Sequence, residues 1–300
     1  MFLLFFGLKD PIQVVLLCQT MASKLSIFSF GIAILFIVLN VSVLTTGINF
    51  KEDTTLTKLQ GAALQKLKAR VIPKLAHDYQ KEDLFLLRFL RAKNFDVNKA
   101  EDYVLSQMKW RADNKMETIH DEDWSDLENA GYGMRSEGFD RDGRPLVVWE
   151  LGDWDLRKAA LAGKTDRIVR WTLKNWDAGR KRVRELELQN KNVTRWTMIL
   201  DLKNINAITN VNSASFPYYI AASLGYDLHF PHMGDRIFLV NTPGLFETVL
   251  ALVRPTLAKG TKEALMVYGK NEAEWGPVVR AAIDPSELPQ RYGGLKEDPQ

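Results

Sequence analysis

The chain has 300 residues, of which 46% are hydrophobic and 26% charged, the balance of a globular protein with enough apolar material for a sizeable core. A formal net charge of +3 is too small to point to nucleic acid. The single cysteine, Cys18, excludes an internal disulfide and a cysteine-based zinc site.

In chain order, the first distinctive stretch is Leu25–Leu44, which contains no charged residue and is long enough to span a bilayer. It reads as a signal peptide if translation begins at Met21, with Met21–Lys24 as a basic start and Leu25–Leu39 as the apolar region; Thr45–Thr46–Gly47 is then a poor cleavage site. The alternative is a retained signal anchor. Lys9 and Lys24 balance Lys51 and Lys58, so charge assigns no orientation. In a secretory setting Asn192–Val193–Thr194 would be a glycan acceptor.

From Thr54 to about Asn114 the pattern is helical. Leu56, Leu59, Ala63, Leu64 and Leu67 share a face, Lys81–Ala92 alternates core and charge at helical spacing, and Asp96 is placed to cap a helix Val97–Arg111. A turn at Asp140–Pro145 leads into a strand from Leu146. A long helix Asp166–Leu188 follows, then a strand Trp196–Leu202, a helix Ser213–Leu224, a strand Ile237–Val240, a short strand Ala264–Tyr268 and a helix Trp275–Ile283. Strands alternating with helices predict a mainly parallel sheet covered by helices, an α/β fold behind a helical bundle. The basic run Arg180–Arg184 reads as a solvated helix face.

The stretch Arg236–Gly260 organises the rest. Asn241–Gly244 ends a buried strand, and Leu245, Phe246, Val249, Leu250 and Val253 then recur at helical spacing. Such an apolar helix is either deep core or a lid that meets something greasy, and the residues alone leave both readings open.

Five segments resemble the CRAL-TRIO family of lipid-binding and phosphatidylinositol-transfer proteins: LLRFLRAKNFDVNKA (Leu86–Ala100), DGRPLVVWELG (Asp142–Gly152), ILDLKNI (Ile199–Ile205), DRIFLVNTPGLF (Asp235–Phe246) and LPQRYGG (Leu288–Gly294). They occur in family order and spacing, and cover about Thr54–Gly294. The apolar run makes 1–47 a hydrophobic leader, and the resemblance implies a helical bundle at 54–120 and a lipid-binding domain at 121–296. It further implies a hydrophobic pocket closed by the helix after Asn241, with Leu245, Phe246, Val249, Leu250 and Val253 as the gate. Ser136, Val147, Trp196 and Met198 stand where the family holds phosphatidylcholine, and three of the four have lost the hydroxyl. Ala264 stands where the family has a lysine, and Pro231–His232–Met233 lacks an acid. Lys93 and His232 remain as headgroup-contact candidates, while Asn94 has lost a basic charge.

A buried phosphorylated headgroup without charge and hydrogen-bond partners carries a large desolvation penalty. The expected ligand is therefore a less polar lipid: a sterol, a terpenoid such as a tocopherol or retinoid, or a fatty acyl chain. Period-two alternation places Val147, Trp149, Trp196, Met198 and Met266 on the strand side of the pocket. Tyr218, on the helix Ser213–Leu224, completes the expected lining, and Trp196 narrows the space. The expected partners are a hydrophobic lipid, phospholipid included, and a membrane surface. The protein is expected to be a monomer without cofactor or metal, in the secretory pathway or membrane-anchored through 25–44, the alternative being cytoplasmic and peripheral to membranes.

Two functional alternatives accompany this reading: phosphatidylinositol/phosphatidylcholine transfer, and a serine hydrolase or protein-interaction scaffold on the same domain. Ala221–Gly225 imitates a nucleophile elbow around Ser223, but an elbow serine follows a strand. Ala162–Thr165 imitates a phosphate loop but lacks the first glycine and a preceding strand.

Overall fold

The bundle begins with a reciprocal cap. Thr57 Oγ1 accepts from the Gln60 amide at 3.2 Å, and the Gln60 side chain accepts from the Thr57 amide at 3.0 Å, which satisfies two N–H groups that a helix start leaves open. The structure, a computed structural model, describes residues 50–298. Leu25–Leu44, with its signal-peptide or anchor readings, lies outside the described residues. Among the described residues no helix is long and apolar enough to cross a membrane.

A short helix α1 (Phe50–Thr54) precedes α2 (Lys58–Val71), α3 (Asp83–Ala92) and α4 (Val97–Asp113). Asp96 caps α4 by accepting from the amides of Asn98 and Lys99. Leu64, Leu67, Phe85, Leu86, Leu90 and Val104 bury the three apolar stripes against one another.

After the four-residue α5 (Ser125–Glu128), the chain forms β1 (Met134–Phe139), β2 (Pro145–Trp149), α6 (Leu156–Leu161), α7 (Thr165–Leu188), β3 (Trp196–Asp201), α8 (Phe216–His229), β4 (Gly234–Val240), α9 (Glu247–Val253), α10 (Lys259–Ala264), β5 (Leu265–Val267) and α11 (Glu272–Ala282). The strands lie in the order β1-β2-β3-β4-β5. β1 is antiparallel to β2, and the other pairs are parallel. The N-terminal helices and this mixed, mostly parallel sheet with flanking helices agree with the expected class. β1 was not expected: MRSEGF has little apolar alternation, and its register shifts between Ser136 and Phe139.

Alternation along the strands divides the core in two. Val147, Trp149, Met198, Ile237 and Leu239 face α7, α8 and α9, whereas Leu146, Val148, Ile199, Phe238 and Val240 meet Trp275, Val278 and Val279 of α11. Met266 packs on the α11 side and Leu265 on the other, so the expected phase of β5 is one residue out. α8 passes through Gly225 to His229 instead of stopping at Leu224. Tyr226, one residue beyond that glycine, is buried, and its packing carries the helix on.

The bundle is joined to the sheet domain by ion pairs. Arg88 meets Glu187 at 2.6 Å, Arg184 meets Glu82 at 2.6 Å, and Arg111 meets Asp177 at 3.1 Å. Asp177 is fully buried and also takes Arg180 at 2.9 Å and His120 at 3.0 Å. This corrects the reading of Arg180–Arg184 as a solvated face. Arg180 is buried because it supplies charge to Asp177, and Val183 is core. Burial alone would raise the Asp177 pKa, but the His120 hydrogen bond and the Arg180 and Arg111 charges outweigh it, so the carboxyl titrates well below the usual range.

Because the folded pKa of Asp177 is depressed, its stabilisation is complete above the unfolded value of about 4 and is lost as the pH falls below that. Asp177→Asn leaves buried arginines without their counter-ion, which costs about 3–5 kcal/mol. Thermal melts followed by circular dichroism should show a melting temperature lower by roughly 6–20 °C at pH 7, with the gap to wild type narrowing towards pH 2.

Candidate functional site

The α7–α8 face of the sheet is not filled by side chains throughout. A cavity of about 120 Å³ lies over β2, β3 and β4. Trp149, Met198, Leu200, Ile237 and Leu239 form its sheet wall; Trp176 of α7 and Tyr218, Tyr219, Ala222 and Tyr226 of α8 form a second. Phe246, Val249, Leu250 and Val253 form a third. Among the described residues no polar atom is exposed on this wall.

The third wall follows from a local break in the chain. Asn241 ends β4 in the left-handed region at φ 57° and donates from Nδ2 to Asp201 Oδ1 at 2.8 Å, a conformation that asparagine tolerates. Pro243 then precedes a 3-10 turn Gly244–Phe246 and the seven-residue α9. Polar bonds secure the far end: Ser223 Oγ meets Thr256 Oγ1 at 3.1 Å, and Asp227 accepts from the Ala258 amide and the Thr261 hydroxyl.

A second cavity, about 450 Å³, adjoins the first and, unlike it, exposes polar as well as apolar groups, which makes it the polar cavity of the pair. Tyr226, Ile237, Leu257 and Thr261 belong to both walls. The bundle contributes Arg91, Lys93, Asn94 and Tyr103; the sheet domain contributes Arg195, Asp227, His232 and Lys259. Lys93 lies over the Tyr103 ring at 4.4 Å. His232 takes φ 56°, and burial together with the Arg195 charge lowers its pKa to about 4.

The expected site residues fall into separate groups. Trp149, Met198, Tyr218, Phe246, Val249, Leu250 and Val253 meet at the apolar cavity, and Lys93 and His232 at the polar one. Ser136 and Val147 border a third space of about 290 Å³ beside Gly179 and Arg182. Trp196 lines none of these. It is fully buried between the Tyr226 and Phe230 rings and α7, where a Cβ on Gly179 would stand 3.1 Å from its ring. Ala264 is buried outside the cavity walls, Met266 lies on the opposite sheet face, and Leu245 is 38% exposed.

Trp176, Tyr219, Ile237 and Leu239 line the apolar cavity without having been expected there. Alternation along β4 points to the last two; nothing in the local pattern singles out Trp176 or Tyr219 from other helix core. Arg91 and Arg195 were likewise not expected at the polar cavity. The serine-hydrolase alternative finds no support in geometry. Ser223 lies within α8, its hydroxyl donates to Ile220 O at 3.0 Å, and His229 bonds Gln107 at 2.8 Å and stacks on Trp110.

Comparison with known proteins places this architecture. Residues 130–294 match the CRAL/TRIO domain, and residues 62–103 match the CRAL/TRIO N-terminal domain. Patellin-4 of Arabidopsis thaliana is 29% identical over 216 residues, covering 71% of this chain and 38% of its own length. The phosphatidylinositol/phosphatidylcholine transfer protein SFH7 of the same plant is 26% identical over 219 residues, covering 70% of this chain and 39% of its own. The chain thus spans under two fifths of either relative. The crystal structure of Sfh5 superposes with a TM-score of 0.60 at 15% identity, covering 75% of this chain and 84% of that one, which shows a shared fold.

The half-buried histidines make the region pH-sensitive. Burial, with the Arg111 charge, lowers the His229 pKa to about 4. A proton therefore favours the unfolded chain: stability is complete above pH of about 6.5 and declines as the pH falls towards 4. His229→Gln should lower the melting temperature at pH 7, through loss of the Trp110 stack, and flatten its decline between pH 6.5 and 4.5, measured by thermal melts across that range.

Proposed function

Since the chain belongs to the CRAL/TRIO family, we propose that it binds a hydrophobic lipid in the apolar cavity and carries or presents it between membranes, with Gly244–Thr256 as the gate. The observation that carries this reading is a space walled by carbon on three sides, one of them a short apolar segment that follows the left-handed Asn241. At about 120 Å³ the cavity holds a ring-sized group, below the roughly 300–1,000 Å³ usual for ligand sites. Entry of a lipid therefore requires the gate to move outward. Exposing Phe246, Val249 and Leu250 to water costs about 1.5–3 kcal/mol each, a cost that vanishes when a bilayer covers them. Opening is thereby coupled to membrane contact.

The cargo is an apolar lipid with at most a small polar end: a sterol, a terpenoid or a fatty acyl chain. Trp196 occupies the space towards Val147 and Gly179 and shortens the cavity. Phosphatidylinositol/phosphatidylcholine transfer is the second reading, favoured by the polar cavity that shares Tyr226 and Thr261 with the apolar one. The protein works as a monomer at a membrane surface, with Leu25–Leu44 as the element that directs it to the secretory pathway or anchors it.

Mass spectrometry of lipids extracted from the purified protein should find sterol, terpenoid or fatty acyl species in excess; a predominance of phosphatidylinositol would overturn the cargo assignment in favour of the second reading. Val253→Asp, at the half-buried end of α9, should cut the yield of bound lipid and the rate of vesicle-to-vesicle transfer about tenfold with little change in melting temperature. Trp196→Thr should cost about 3–5 kcal/mol of stability and admit bulkier lipids in the same extraction.

A further inference from the structure

Of the residues in α1, Asp53 is the buried one. Its carboxylate accepts four hydrogen bonds. Oδ1 takes Arg91 Nη1 at 2.8 Å and Arg195 Nη2 at 2.9 Å; Oδ2 takes Arg195 Nε at 3.1 Å and Thr194 Oγ1 at 2.5 Å. Arg195 grips the group with both prongs of its guanidinium. Both arginines also line the polar cavity. The acids that face that cavity are otherwise engaged: Asp227 caps the Ala258–Thr261 turn, and Glu263 pairs with Lys259 at 3.6 Å.

Two guanidinium groups and a hydroxyl converging on one anion are a donor set that suits phosphate at least as well as carboxylate. The forked geometry matches two phosphate oxygens, and a phosphate monoester carries about −1.5 to −2 charge at neutral pH against −1 for Asp53. Arg91 belongs to α3 and Arg195 directly precedes β3, so both stand on the rigid scaffold. Asp53 stands on a five-residue helix joined to α2 by Thr55–Thr57.

We propose that Arg91, Arg195 and Thr194 form a binding site for a phosphate monoester, and that Asp53 occupies it as an internal counter-ion which the phosphate displaces together with α1. The site opens on the polar cavity, where Lys93 adds positive charge. It does not depend on what the apolar cavity carries. A tethered carboxylate competes at an effective concentration on the order of millimolar, so free phosphate should act in the millimolar range, and a vesicle surface, which concentrates headgroups, at lower bulk concentration. Burial pushes the Asp53 pKa up, but the Arg195 hydrogen bond and charge, the Thr194 hydroxyl and the Arg91 charge bring it down to about 2, so the competitor is ionised at neutral pH.

The test is amide hydrogen exchange of residues 50–57 in the full chain, titrated with inorganic phosphate and, at matched ionic strength, with chloride. Exchange should rise severalfold with phosphate and not with chloride. Vesicles of phosphatidylcholine with a minority of phosphatidic acid, against phosphatidylcholine alone, then separate a lipid headgroup from free phosphate as the source; a rise in either arm supports the site. Asp53→Asn should bind phosphate about tenfold more tightly, and adding Arg195→Gln should abolish the gain. Unchanged exchange in both arms, or an equal rise with chloride, overturns the proposal and leaves Asp53 as a fastener of α1. The wild-type exchange decides the matter even if Asp53→Asn does not fold.

Discussion

A sheet buried on both faces needs two covers, and here the covers are unequal. α11 closes one face with Trp275, Val278, Val279 and Ala282 packed on Leu146, Val148, Ile199 and Phe238. The other face is covered by two long helices and one seven-residue helix, and the space left between them is the apolar cavity. Each side chain of α9 that faces inward contributes to the fold by leaving water. If the wall opens as proposed, the same contribution sets the cost of opening it.

Charge acts on a different axis. The buried carboxylates Asp53 and Asp177 each collect two arginines, and each joins chain regions far apart in sequence. Asp177 ties α4 to α7, and Asp53 ties α1 to α3 and to the start of β3. A buried ion pair adds little net stability over an apolar contact, but removing one partner is costly. These networks therefore fix how the bundle meets the sheet domain without making that contact greasy.

How much of this the amino-acid sequence discloses depends on burial. β2, β3 and β4 are apolar on both faces, and their runs were legible, as were the α4 cap at Asp96 and the inward stripe Phe246–Val249–Leu250–Val253. β5 has three half-buried residues, too few and too evenly exposed to set a phase, so Met266 was placed on the wrong face. Trp196 belongs to the expected sheet face, yet it fills space rather than lining it, because Gly179 across the gap removes the side chain that would have kept the ring away. Asp53 sits in a polar stretch with no periodicity, and its partners are 38 and 142 residues away; local pattern carries no trace of such a contact.

Arg91 and Arg195 bring positive charge to the polar cavity, and both share the single carboxylate of Asp53. The wall shared by the two cavities consists of Tyr226, Ile237, Leu257 and Thr261, one side chain thick. Such a partition separates carbon from charge without separating the two volumes by scaffold. Leu257 and Thr261 lie just beyond the proposed gate segment, which ends at Thr256, and Asp227 holds that stretch through Ala258 and Thr261. Were α9 to move outward as proposed, it would pull on the polar cavity as well as uncover the apolar one, which brings Arg91 and Arg195 within mechanical reach of the apolar wall.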